Sequence, residues 1–362
     1  MIAISLCMIV RDEEEVLARC LDSVRDLVDE LIIVDTGSTD GTIELAARYT
    51  DRIYTFEWID DFAAARNFAF SKATMPYVMW LDADDYLKER DREMLRELKR
   101  TLDPEVDSVV MEYHLALDAQ GNPAAMSRRN RIVKRSRGYR WYNPVHEYLL
   151  VDGNVYLTGI AVTHQRQRDH GARNLGILEK MIATDGNVEG RNILYYANEL
   201  TDARRYAEAA TQYRRFLDGE VDYFEDHLLA CSKLAECLHH LGDKEGKLRA
   251  LLQTMAYDLP RADFCCSIGY CFEERGQPEK AIYWYKLALT LERPLHHFGV
   301  LNLICWTWLP HLQLCICYGL LGELDKAYEH NEKALSYLPN DPNLRQNKLK
   351  LEQAMGKGAS GS

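Results

Sequence analysis

Tyr77-Val78-Met79-Trp80-Leu81-Asp82-Ala83-Asp84-Asp85 is the stretch whose reading decides the fold. A short apolar run bounded by charge reads as a buried strand. Acids that follow such a strand stand at the mouth of a sheet. Two carboxylates one residue apart at that mouth suit a divalent cation carrying a diphosphate. The pattern occurs a second time. Leu31-Ile32-Ile33-Val34 is followed by Asp35-Thr36-Gly37-Ser38-Thr39-Asp40-Gly41-Thr42.

Outward from these two strands, short apolar runs alternate with amphipathic stretches. Ala3–Ile9, 31–34, Arg52–Phe56 and Tyr77–Leu81 read as strands. Between them, 14–27, 42–49 and 62–73 carry helical spacing, for example Val16, Leu17, Cys20, Leu21 and Val24. This alternation predicts a mostly parallel sheet covered on both faces. Ligands of such sheets bind outside the carboxyl ends of the strands, where Asp35 and Asp82 fall. Beyond Leu102, 108–117 reads as a strand, 119–123 as a turn, 131–134 as a short strand and 160–163 as the last strand. From Arg173 onward nearly everything reads as helix.

The second half repeats itself. Gly242 and Gly276 lie 34 residues apart, the period of a tetratricopeptide repeat. Gly269, Phe272, Gly276, Ala281, Tyr285, Ala288 and Pro294 mark the best copy, and Tyr318, Gly322, Ala327, Ala334 and Pro339 the next. An extra loop near 294–310 lengthens the interval between them. Eroded copies run over 228–260 and 195–216. Small residues at these points let paired helices approach closely. Trp284, Trp306 and Trp308 line either a binding surface or, more commonly at helical spacing, the core. The expected domains are 1–172 for the α/β part, 173–190 for a helical linker, 191–355 for the repeats and 356–362 for a flexible tail.

Bulk properties narrow the function. The chain has 362 residues, too many for one ordinary core. Its net charge of −12 argues against nucleic acid or an anionic membrane as partner. An acidic protein that binds a diphosphate needs a metal or a local basic patch. The apolar start, 1–10, is short and runs into Arg11-Asp12-Glu13-Glu14-Glu15, so it reads as a first strand rather than a leader. No membrane span is expected. Ten cysteines without a Cys-x-x-Cys pair predict reduced thiols and a cytoplasmic location.

Several further residues carry chemistry. Asp61 is placed to cap the third helix, and Arg66 follows within it, either in a salt bridge or against a nucleotide. Asp40 is placed to cap the helix starting near Thr42, whereas Asp35 faces the ligand cleft and could accept from a base N–H. Trp141-Tyr142-Asn143-Pro144-Val145-His146-Glu147 offers Glu147 as a general base, with His146 as its rival. A glutamate merely paired with a nearby arginine is the plainer alternative. His164 ends the last strand, where an imidazole can ligate a metal. Arg128-Arg129-Asn130-Arg131, Lys134-Arg135 and Arg137 form a basic run, read as a solvated loop or a diphosphate clamp.

The four ordered motifs 8–14, 34–42, 61–67 and 81–85 together resemble glycosyltransferase family 2. The resemblance covers roughly the first half of the chain. It implies the GT-A fold, a nucleotide-sugar donor (UDP-glucose or UDP-N-acetylglucosamine by class), Mg or Mn, and inversion at the anomeric centre. It assigns nucleotide-sugar binding to Val10, Arg11, Glu13, Asp35, Arg66, Asp82 and Ala83. Metal binding falls to Asp82, Asp84 and His164, and catalysis to Glu147, with His146 beside it. The signature Gln-x-x-Arg-Trp of processive synthases is absent. The domain joined to repeats resembles the sublancin-type S-glycosyltransferases, which glycosylate a peptide cysteine. The expected acceptor is therefore a peptide or protein side chain (Cys, Ser or Thr), with a homodimer as a second use of the repeats. Two alternatives stand beside this: an envelope saccharide or lipid acceptor, and a non-catalytic scaffold with a retired transferase domain.

Overall fold

The computed structural model describes residues 1–165, 171–185, 189–219, 223–295 and 297–356. The chain forms two compact units. One comprises 1–116 and 126–187, the other 117–125 and 188–362.

The first unit is built on a mixed, mostly parallel sheet. Its strands are β1 (Ile4–Val10), β2 (Glu30–Asp35), β3 (Ile53–Thr55), β4 (Tyr77–Trp80), β5 (Asp85–Tyr86), β6 (Ser108–Leu117), β7 (Pro123–Lys134) and β10 (Val155–His164). They lie in the order β3-β2-β1-β4-β7-β6-β10-β5. β3, β2, β1 and β4 are mutually parallel. β7 runs antiparallel to β4, and β5 antiparallel to β10, while β10 and β6 are parallel. A small hairpin, β8 (Trp141–Tyr142) with β9 (Tyr148–Leu149), stands apart. Alternation along β1 explains the two cores. Ile4, Leu6, Met8 and Val10 pack with Leu17, Cys20, Leu21 and Val24 of α1 (Leu17–Val24). Cys7 points the other way and packs with Ala69 of α3 (Phe62–Ser71), Val78 and Val133. Each such buried aliphatic side chain contributes about 1.5–3 kcal/mol.

Two strands are longer than the sequence predicts, and one helix was not read from it. β7 spans Pro123–Lys134 rather than 131–134, because Arg128 and Arg131 are buried within it instead of sitting in a loop. β10 starts at Val155; its first two residues, Val155 and Tyr156, are apolar yet exposed. α4 (Glu89–Thr101) is almost wholly charged, and of its buried residues only Leu95 and Leu98 are apolar. One of its acids has a structural task. Asp91 is buried and accepts the backbone N–H of Ala161, 2.8 Å away, at the irregularity where β10 shifts register against β6.

α5 (Gly171–Asp185) closes the first unit. In the second, helices pair in sequence: α6 (Arg191–Asp202) with α7 (Tyr206–Leu217), α8 (Phe224–His240) with α9 (Lys244–Gln253), α10 (Ala262–Glu273) with α11 (Pro278–Ala288), and α12 (Trp308–Leu320) with α13 (Leu324–Tyr337). α14 (Pro342–Ala354) follows. All four inter-helix turns use one device. A residue with φ between 59° and 77° occupies each: Arg204, Gly242, Gly276 and Gly322. The residue after it donates its N–H five positions back, to Leu200, Leu238, Phe272 and Tyr318 respectively. This satisfies carbonyls at each helix end that would otherwise lack partners. Close packing between the partners is equally direct. A Cβ on Gly269 would stand 2.8 Å from the Tyr285 ring. Trp284 and Trp306 pack on the core of this unit, and Trp308 packs on Ala334, Leu338 and Leu344. All ten cysteines are free and buried. The tail beyond Gly356 lies outside the described residues.

The first of these turns carries arginine where the other three carry glycine, and a left-handed L-residue costs about 1–2 kcal/mol. Arg204→Gly is expected to stabilise the protein by about 1 kcal/mol, and Gly276→Ala to destabilise it by about the same amount. Urea unfolding followed by circular dichroism measures both.

Candidate active site

The parallel strands deliver their carboxyl ends to one edge of the sheet, and the loops there are stitched together. Asp12 accepts the N–H of Thr39 (2.6 Å), and Ser38 accepts that of Asp12 (3.0 Å). Thr42 accepts from the Glu13 N–H (2.7 Å), Asp40 from the Glu14 N–H (3.2 Å), and Glu14 from the Gly41 N–H (2.7 Å). The acid run after β1 therefore shapes the loop after β2. Asp40 also accepts the Thr42 N–H, while the N-cap position itself is Gly41. Asp61 caps α3 through the Ala64 N–H (2.8 Å).

A cleft of about 300 Å³ opens at this edge. Val10, Arg11, Glu13, Arg66, Asp82, Ala83, Asp84, His146, Glu147 and His164 all line it. Asp35 does not; its neighbour Thr36 does. The Asp35 carboxylate is buried and accepts the N–H groups of Gly37 (3.0 Å) and Ser38 (3.1 Å), so it holds the turn that presents Thr36. Sequence reasoning missed Trp58, Phe62, Arg173 and Asn174, which also line the cleft. Trp58 and Phe62 meet edge to face at 4.7 Å. Of these four positions only Phe62 falls inside a motif read from the sequence, 61–67.

Arg66 is the hub. Its Nε donates to Glu147 Oε1 at 2.6 Å and its Nη2 to Asp82 Oδ1 at 2.7 Å. The guanidinium also sits 4.9 Å from the Trp80 ring centre and 4.8 Å from that of Trp141. Asn67 fixes Trp141 with two backbone hydrogen bonds, each 2.9 Å. Burial alone would release the Arg66 proton more easily, but the charges of Asp82 and Glu147 outweigh it and hold the proton more tightly than usual. Burial pushes the Asp82 carboxyl up, yet Arg66 and then Arg131 outweigh it and keep it below the ordinary carboxylate range. Glu147 follows a loop in which Asn143 and His146 both adopt left-handed backbone, at φ of 72° and 54°. The Pro144 carbonyl accepts the Phe62 N–H at 2.9 Å, which ties this loop to the start of α3.

Asp84, Asp85 and His164 bring a nitrogen and two carboxylates within 4.8 Å of one another. His164 Nδ1 lies 3.4 Å from an oxygen of each acid and 2.9 Å from the Tyr113 hydroxyl. Burial pushes the imidazole down, but its hydrogen bonds to Asp84 and Asp85 and their charges lift it to about 10. Such a concentration of negative charge suits a divalent cation. The buried Oδ1 of Asp85 has the His164 Nδ1 as its facing group, 3.4 Å away. A nitrogen-and-carboxylate set of this kind fits Mn or Mg. Asp82, expected among the ligands, is bound to Arg66 and lies outside this trio.

The basic run is not a clamp-like loop. Its residues 128–134 lie in β7, with Arg131 fully buried against Asp85 and Arg128 buried 3.7 Å from Glu112, while Arg135 and Arg137 follow in a 3-10 turn where Arg137 pairs with Asp152 at 2.7 Å.

The Glycosyl transferase family 2 model matches residues 5–148, which hold the four ordered motifs, while His164 lies beyond them. A TPR repeat-containing protein of Synechococcus elongatus is 32% identical over 94% of this chain and 76% of its own length. The chain belongs to glycosyltransferase family 2 through residues 5–148, and tetratricopeptide repeats follow later in its sequence. The lipopolysaccharide core biosynthesis glycosyltransferase LpsC of Rhizobium meliloti is 31% identical to this family 2 chain over 42% of it. The SPbeta prophage-derived glycosyltransferase SunS of Bacillus subtilis is 25% identical over 73% of it. The family 2 chain spans only 58% and 64% of those two relatives. No described helix of it is long and apolar enough to cross a membrane.

Because Arg66 joins two acids in a largely buried setting, Arg66→Met is expected to cost about 3 kcal/mol of stability at pH 7. The Asp82 part of that loss is present above the ordinary carboxylate pKa. It fades as pH falls through the lower value Asp82 has in the folded protein, so the two proteins converge in acid. Urea unfolding read by tryptophan fluorescence at pH 7 and pH 3 checks both statements.

Proposed function

We propose that this family 2 enzyme is inverting and metal-dependent. It moves a hexose or N-acetylhexosamine from a UDP-sugar to a Cys, Ser or Thr side chain of a peptide or protein. One observation carries the reading: Asp84 and His164 of a metal-fitting cluster line one cleft with Glu147, from distant parts of the chain, and a single arginine ties Glu147 to Asp82 beside that cluster.

In this reading the nucleotide lies along Val10, Arg11 and Glu13, beside the turn held by Asp35, with Ala83 and Asp82 at the ribose. Asp84 and His164 hold Mg or Mn next to Asp82. The cation supplies Lewis-acid stabilisation of the departing diphosphate. Glu147 takes the proton from the acceptor S–H or O–H as that atom bonds to the anomeric carbon. The bond from that carbon to the diphosphate oxygen breaks on the opposite face, UDP departs, and the configuration inverts. Arg66 fixes the direction of the Glu147 carboxylate. His146 is the rival proton acceptor.

The repeats hold the acceptor peptide in this reading, or join two copies of the chain. The alignment to SunS, at 290 residues, is too long for the sheet unit alone, so that likeness extends into the repeats. An envelope saccharide as acceptor draws support from LpsC, whose alignment of 159 residues is too short to span both units.

UDP release with UDP-glucose or UDP-N-acetylglucosamine and Mn²⁺ tests the donor chemistry. Asp84→Ala is expected to abolish release while the circular dichroism spectrum stays unchanged; undiminished release removes the metal assignment. Glu147→Gln is expected to lower kcat by about 10²–10⁴-fold with UDP affinity retained. Lost UDP affinity would instead make Glu147 a binding residue. Mass spectrometry of candidate peptides for an added hexose or N-acetylhexosamine identifies the acceptor class.

A further inference from the structure

The three acids of the Asp82–Asp85 turn have unequal positions. Asp82 and Asp84 line the cleft, as does His164, but Asp85 does not. The Asp85 side chain is fully buried, and so is that of its partner Arg131. Asp85 lies in β5 directly across from His164 in β10.

Each Asp85 oxygen has its own task. Oδ2 accepts the backbone N–H of Asp82 at 3.1 Å and faces Arg131 Nη2 at 3.0 Å. Oδ1 faces His164 Nδ1 at 3.4 Å. The turn is closed again by the Asp85 N–H on the Asp82 carbonyl (3.1 Å), and it is moored to β10 by the Gln165 N–H on the Asp84 carbonyl (3.1 Å). Arg131 comes from β7. Its guanidinium carbon lies 3.9 Å from the Trp80 ring centre and 4.5 Å from that of Tyr113. Tyr113 in turn bonds His164.

The geometry points to Asp85 and Arg131 as a positioning pair that builds the cation site from behind. Arg131 fixes the Asp85 carboxylate; that carboxylate shapes the turn and orients His164, so that Asp84 and His164 meet one ion. This rests on the metal-dependent reading above and adds who sets its geometry. The physical case has two parts. A buried ion pair adds little stability over apolar groups of the same volume, so filling space does not require it. A planar guanidinium held between two aromatic rings has one orientation, which lysine could not reproduce. Carboxylates behind metal-binding histidines work in this way, and removing one weakens metal affinity about 10–100-fold.

Four proteins decide the matter: the natural chain, Asp85→Asn, Arg131→Met and the double variant. Mn²⁺ binding is read by electron paramagnetic resonance with UDP present, and the thermal midpoint is read without metal. Arg131→Met strands a buried carboxylate, so its midpoint falls. The double variant removes both charges and is expected to regain most of that loss, yet to bind Mn²⁺ about 10–100-fold more weakly than the natural chain. Asp85→Asn, nearly isosteric, is expected to show the same weakening. A double variant with a recovered midpoint and natural Mn²⁺ affinity overturns the proposal. So does an Asp85→Asn protein that loses Mn²⁺ binding as fully as Asp84→Ala, because Asp85 is then a ligand. A natural chain that takes up no Mn²⁺ overturns the metal reading itself and this inference with it.

Discussion

Acids crowd the carboxyl edge of this sheet, and two buried guanidinium groups hold them there. Arg66 stands between Asp82 and Glu147, and Arg131 stands against Asp85. Neither cation is solvated; each lies on aromatic rings, Trp80 being common to both. Without these cations the carboxylates would stand close together as uncompensated buried charge. With them, negative charge persists in a sheltered cleft, which is the condition for gathering a divalent cation and a diphosphate.

The same two residues explain why distant segments form one site. α3 supplies Arg66, β4 supplies Trp80, the turn after it supplies Asp82, and the loop near 147 supplies Glu147. Arg131 brings β7 to that turn, and β10 adds His164. The antiparallel insertion of β7 beside β4 is therefore as necessary to the site as the parallel strands are. The repeat unit follows a separate logic. It depends on four left-handed turns and on small residues where helices touch, and its regularity is local.

Most of the cleft was legible in the sequence because its residues lie at strand ends, where acids interrupt apolar runs. Val10, Arg11, Glu13, Asp82, Ala83, Asp84, His146, Glu147 and His164 all fall at or near such boundaries and all line the cleft. The differences from the sequence reading have separate causes. Arg128 and Arg131 look like a surface loop because charge normally marks exposure, yet their charges are met by Glu112 and Asp85. α4 escaped notice because its apolar stripe is so thin. Asp35 looked like a cleft residue because it ends a strand, but its oxygens are taken up by its own turn.

The sequence alone determined the alternation of strand and helix, the period of the repeats and the family, since these rest on local spacing and on motifs. Only the tertiary structure decided which carboxylate does what. Asp82, Asp84 and Asp85 are chemically alike and adjacent, so no local rule separates them. What distinguishes them is the partner each meets from elsewhere in the chain: Arg66 for Asp82, the open cleft and His164 for Asp84, and Arg131 for Asp85.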